Sequence, residues 1–153
     1  MGKTAVVIDA NVLLSSAIRP GGPTHRLLLT LLLDPGTELF IPRYLTQEVR
    51  PKIMEISERK GIPGDRLEGV LRALISVFRV VEEDRYKKFM KKAVKLVRDA
   101  RDSPYVALAL YLLTMFSDVI ILTYNKKDYL TSELESMGIT VLSPADLFKR
   151  LGI

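Results

Sequence analysis

The chain has no cysteine and no tryptophan, and its one histidine is His25. Without cysteine there are no disulfides and no thiolate-held zinc, which agrees with a reducing, cytoplasmic setting. A single histidine argues against a histidine-rich metal centre and against a His-based triad. Any metal chemistry must therefore rest on carboxylates. Long hydrophobic runs are also missing: the leucine-rich run 27–33 is interrupted by Thr30 and is too short to cross a bilayer. The opening residues lack the charged and then apolar pattern of a signal peptide. No glycine-rich loop follows the first apolar run, so a dinucleotide-binding reading has no support.

What is present is ordinary for a folded chain: 48% hydrophobic and 27% charged residues, which excludes disorder. At 153 residues, one domain over 1–153 is expected. Lys and Arg number 23 against 18 Asp and Glu, a net charge of +5, which suits a polyanionic partner.

The organising stretch is the run Val6-Val7-Ile8, which ends abruptly on Asp9. A β-branched run of this kind reads as a strand buried on both faces, the habit of parallel sheets. Strands then alternate with helices. Further strands are expected at 38–41, 77–81, 119–123 and 139–142. Helices are expected at 12–18, from a Thr24 cap to Leu33, from Pro42 through Leu45, Glu48 and Val49, from Asp65 to Ile75, at 84–100, at 105–116 behind a Ser103 cap, and at both sides of the last strand. The pattern predicts a three-layer α/β/α fold with a central, mostly parallel sheet.

In such a sheet the strand-to-helix turns open on one edge, where ligands bind. Asp9 ends the first strand, and either caps the following helix or binds a hard cation. Glu48 lies on or beside the apolar face of its helix, with Pro51 just after it. Asp102, three residues after Asp99, precedes a helix start, and Asn125 and Asp128 follow the fourth strand. Taken singly, most have bland readings as solvated or turn residues. Three or four carboxylates gathered without matching bases repel each other, and divalent cations relieve that repulsion. Such a site activates water and stabilises charge developing on a phosphoryl oxygen.

The ordered set resembles the PIN-domain ribonucleases, including toxins of VapC type. The resemblance rests on Ile8-Asp9-Ala10-Asn11-Val12-Leu13, Glu48, Asp102-Ser103-Pro104-Tyr105, Leu122-Thr123-Tyr124-Asn125-Lys126-Lys127-Asp128, and Leu142-Ser143-Pro144. It implies a PIN-like fold and divalent-metal-dependent cleavage of RNA, using Mg2+ or Mn2+. Carried over, Asp9, Glu48 and Asp102 are the catalytic metal-binding acids. The family's fourth acid falls where Asn125 stands, a departure: the Asn125 amide oxygen can ligate a cation but brings no charge, and Asp128 as a further metal ligand partly compensates. Asn11, Thr123 and Asp99 take supporting places behind the ligands. The resemblance also implies an antitoxin partner and a homodimer built on the early leucine-rich helices.

For the substrate, the basic run 85–98 is expected to touch the RNA backbone through Arg85, Lys88, Lys92 and Lys95, against the plain reading of a solvated helix face. Few aromatic residues lie nearby (Tyr86, Tyr105), so phosphate contact outranks base stacking. The alternative function is a catalytically weak or inactive PIN-like RNA-binding or assembly module, favoured by the Asn125 departure. A haloacid-dehalogenase-type phosphatase needs an aspartate where Asn11 stands.

Overall fold

The five apolar runs become strands of a single sheet in the computed structural model, which describes residues 2–153; Met1, the first residue of the domain expected over 1–153, lies outside them. In chain order the elements are β1 (Thr4–Ile8), α1 (Ala10–Ile18), α2 (Pro23–Leu33), β2 (Thr37–Pro42), α3 (Arg43–Lys60), α4 (Gly64–Val77) and β3 (Arg79–Val81). There follow α5 (Glu83–Tyr86), α6 (Met90–Ala93), α7 (Ser103–Leu112), β4 (Asp118–Leu122), α8 (Thr131–Ser136), β5 (Ile139–Leu142) and α9 (Pro144–Leu151). The sheet order is β3-β2-β1-β4-β5 and every pairing is parallel. Helices cover both faces, giving the three-layer α/β/α architecture.

From β1 the chain winds to one side through β2 and β3, then returns to place β4 and β5 on the other. The reversal lies between β1 and β4, whose carboxyl ends diverge into loops on opposite faces and leave a crevice. The register aligns Ile8 with Leu122, so Asp9 and Thr123 emerge side by side at that crevice. Residues 5–8 of β1 are all buried. Behind them lies α7, with every residue but Tyr111 buried, against β1, β2 and β4.

Five expectations are corrected. The apolar spacing of Leu67, Leu71 and Leu74 carries α4 through Val77, so the strand expected at 77–81 is only β3. The basic helix expected at 84–100 is broken into α5, a 3-10 turn, α6 and a second 3-10 turn. The cause is a competing partner: Val97 pairs antiparallel with Tyr129, the Leu130 N–H donates to the Leu96 carbonyl at 3.0 Å, and the Arg98 N–H donates to the Asp128 carbonyl at 2.8 Å. Thr24 does not cap α2, which opens with Gly22 as N-cap and Pro23 in its first turn. Ser103 is not the cap of α7 but its first residue, with its hydroxyl donating back to the Ala100 carbonyl at 2.5 Å; the helix ends at Leu112, short of Phe116.

Candidate active site

Asp9 is a carboxylate at 5% exposure at the end of β1. It takes the N-cap position of α1, yet its side chain makes no capping bond. Its Oδ2 accepts instead from the Thr123 hydroxyl and from the Tyr129 hydroxyl, each at 2.8 Å. Thr123 is a junction: its Oγ1 also accepts from Asn11 Nδ2 at 3.3 Å and from the Asn125 backbone N–H at 3.1 Å. Asn11 Oδ1 accepts in turn from the Tyr124 N–H at 3.1 Å. The start of α1 and the loop after β4 are thereby fastened to each other around Asp9. Burial pushes the Asp9 carboxyl above its ordinary value, and the two hydroxyls oppose that rise.

Glu48 approaches from α3, half-buried, with Oε1 accepting from the Tyr105 hydroxyl at 2.5 Å. Lys52, one turn on, stands 3.9 Å from its other oxygen. Burial raises the Glu48 carboxyl too. Asp102 sits at the head of α7 with no side-chain hydrogen bond or ion pair among the described residues. Burial, with Asp9, Asp128, Asp99 and Glu48 around it, lifts its carboxyl to about 7. Asp99 is held the other way: the Arg101 side chain, 2.8 Å from Oδ2, keeps its carboxyl low.

Asp9, Glu48, Asp99 and Asp102 line one cavity of about 170 Å3, together with Asn125 and Asp128. Its charged members are five acids and two bases, and one of the bases is already taken by Asp99. As placed, no three acid or histidine side chains among the described residues lie close enough to ligate one ion together. Thr123 and Tyr129 both donate to Asp9 Oδ2, and Tyr105 donates to Glu48 Oε1. Asn125 is exposed, with backbone angles φ -111° and ψ 61°, and its side chain makes no hydrogen bond among the described residues.

The expected RNA contacts are not at this cavity. Arg85, Lys88, Lys92 and Lys95 are exposed, and none of them lines it. Arg85 lies on the far sheet edge beside Glu38 and Arg79, and Lys88 Nζ stands 5.4 Å from the Phe89 ring centroid. Conversely, sequence reasoning missed Tyr129, Lys52 and Arg101, and placed Tyr105 only as an aromatic near the basic run. The available signal was chemical: a tyrosine inside an all-apolar helix needs an acceptor for its hydroxyl, and the carboxylates are the nearest such groups.

A family model described as a PIN domain matches residues 7–116, from β1 past the end of α7. The chain belongs to the PIN-domain family. Within this PIN domain the matched stretch holds Asp9, Glu48, Asp99 and Asp102 and stops before Thr123, Asn125 and Asp128. Two solved structures share the fold. VapBC2 from Rickettsia felis, bound to a DNA fragment from the promoter, aligns at a TM-score of 0.58 and 11% identity, covering 91% of this chain and 98% of that one. FitAcB from Neisseria gonorrhoeae aligns at 0.57 and 17% identity, covering 92% and 98%. No curated protein matches the sequence.

Proposed function

We propose that this PIN domain is a divalent-metal-dependent endoribonuclease that hydrolyses phosphodiester bonds of RNA. The observation that carries the reading is the meeting of Asp9, Glu48 and Asp102, from β1, α3 and the head of α7, at one small cavity on the switch point of the sheet. The donor set is all oxygen, which suits Mg2+ or Mn2+ rather than a soft metal. Asp9, Glu48 and Asp102 would hold the ion by drawing closer than they stand without it, with the Asn125 amide and Asp128 lining the same cavity and Asp99 spoken for by Arg101. Such an ion, when bound, supplies an activated water and stabilises charge on a phosphoryl oxygen. The chain's own groups supply the rest. Thr123 and Tyr129 fix Asp9 through Oδ2, Tyr105 fixes Glu48 through Oε1, and Asn11 locks Thr123 in place. Lys52 brings a positive charge to the edge of the cavity, where a substrate phosphate arrives.

The VapC resemblance and the likeness to VapBC2 support a role as the toxin of a toxin–antitoxin pair in the cytoplasm, with an antitoxin as protein partner. Leu29 and Leu33 leave an exposed apolar strip on α2 that suits a homodimer. A second reading, a weak or inactive RNA-binding module, is favoured by one observation: an uncharged amide at position 125. Incubation with single-stranded RNA and DNA under Mn2+, Mg2+ or EDTA separates the two. RNA cleavage under metal, lost in EDTA and reduced at least about a hundredfold in Asp9→Asn, is expected. Intact RNA under every metal, with binding retained, would leave the binding module.

A further inference from the structure

Asn11 and Lys52 border two hollows. One is the acid cavity; the other is a groove of about 520 Å3 between α1 and the C-terminal half of α3. The groove has an apolar floor of Leu14, Ile18 and Ile56. Its rim carries Arg19, Lys52, Arg59 and Lys60 against a single acid, Glu55, which stands 3.5 Å from Arg59. Arg19 and Lys60 have no ion-pair partner among the described residues. Lys52 and Arg59 lie seven residues apart on α3, roughly 10 Å along its axis. A polyanion spans that row, while a single small anion does not.

An aromatic ring touches the α1 side of this groove. Tyr124 is 46% exposed, immediately before Asn125 of the acid cavity. Its backbone N–H donates to Asn11, and its hydroxyl is pinned between Thr24 and Ser15, the latter a groove residue at 3.5 Å. An exposed ring whose hydroxyl is tethered presents a fixed face at low entropic cost, as base stacking on aromatic side chains requires.

Resting on the nuclease reading, we propose that the groove between α1 and α3 is the track for the single-stranded RNA on one side of the cleaved bond. Arg19, Lys52, Arg59 and Lys60 hold consecutive phosphates, and Tyr124 stacks a base next to the acids. The cations at 85–98 form a separate surface, since none of them lines either hollow.

The test is fluorescence anisotropy of a labelled single-stranded RNA with the full chain in EDTA, read over a salt series. Arg59→Glu/Lys60→Glu is expected to weaken binding about tenfold or more and to flatten the salt slope by roughly 1.4, at about 0.7 per lost phosphate contact. Arg19→Glu, on a different element, should do the same in smaller measure, and Tyr124→Ala should weaken binding about fivefold with the salt slope unchanged. Lys92→Glu/Lys95→Glu is the comparator. The proposal is overturned if the groove variants, folded by circular dichroism, bind like the parent, or if only the comparator loses affinity. In either case metal-dependent cleavage by the parent leaves the nuclease reading standing. A parent chain that neither binds nor cuts RNA removes both.

Discussion

Asp9 is nearly buried, and two hydroxyls share one of its oxygens, each opposing the rise that burial imposes on its carboxyl. Tyr129→Phe keeps the ring in the core and deletes only that donor. A lost buried hydrogen bond of this kind costs about 1 kcal/mol, more where the acceptor is charged. Partners that orient metal-binding carboxylates affect metal affinity by about tenfold to a hundredfold. The expected outcome for Tyr129→Phe is therefore a small loss in thermal stability with roughly a tenfold loss in Mn2+ affinity by calorimetric titration. Tyr105→Phe should act likewise through Glu48. Unchanged Mn2+ affinity in both variants would show that the phenols serve packing alone. At this scale the acids were legible, because each stands at the end of a readable element: Asp9 after an apolar run, Asp102 before Ser103-Pro104, Glu48 beside Leu45 and Val49. The hydroxyls that orient them were not. Nothing in the spacing of Tyr105 or Tyr129 says toward which neighbour a ring points.

At the scale of elements, α7 is the part on which the site depends most. Its head carries Asp102, its first turn carries Tyr105, and its remaining length is packed against the three central strands. Leu108 lies at 0% exposure in its middle. Leu108→Ala is expected to cost about 2–5 kcal/mol, read as a lower urea midpoint at unchanged slope. A cost under about 1 kcal/mol would mean that the helix repacks around the lost side chain. The almost wholly apolar composition of this helix made its burial legible in advance. The basic stretch after β3 was the opposite case. Its helical spacing was genuine, but Val97 and its neighbours found ladder partners at 128–130, thirty or more residues away. A tertiary pairing overrode local propensity, and no pattern within 84–100 carries that information. The same pairing ties the segment before Asp99 to the loop holding Asp128, two sides of one cavity.

For the whole molecule, the acid cavity makes stability depend on pH in a direction opposite to ordinary ion-paired carboxylates. The Asp102 carboxyl is lifted from its ordinary 3.8 to about 7, by burial first and then by the acids around it; Asp9 and Glu48 are also raised, by burial first. A raised acid binds more protons folded than unfolded between those two values, so the slope of unfolding free energy with pH is negative there. The stabilising share of Asp102 is full below about pH 4 and is lost as pH rises through about 7. In EDTA the melting temperature of the parent should therefore fall relative to that of Asp102→Asn between these limits. Divalent metal should reverse the decline, because binding to the folded state alone adds about 2.7 kcal/mol at a hundred times the dissociation constant. Asp102→Asn separates this charge effect from any general loss of fold. Without metal it should melt higher than the parent at pH 8, since it removes one of the crowded charges, and it should gain little when Mn2+ is added. A variant that melts lower than the parent in EDTA at pH 8 would instead make Asp102 a structural group. The cavity would then no longer be a place where folding free energy is given up to hold acids ready for a cation.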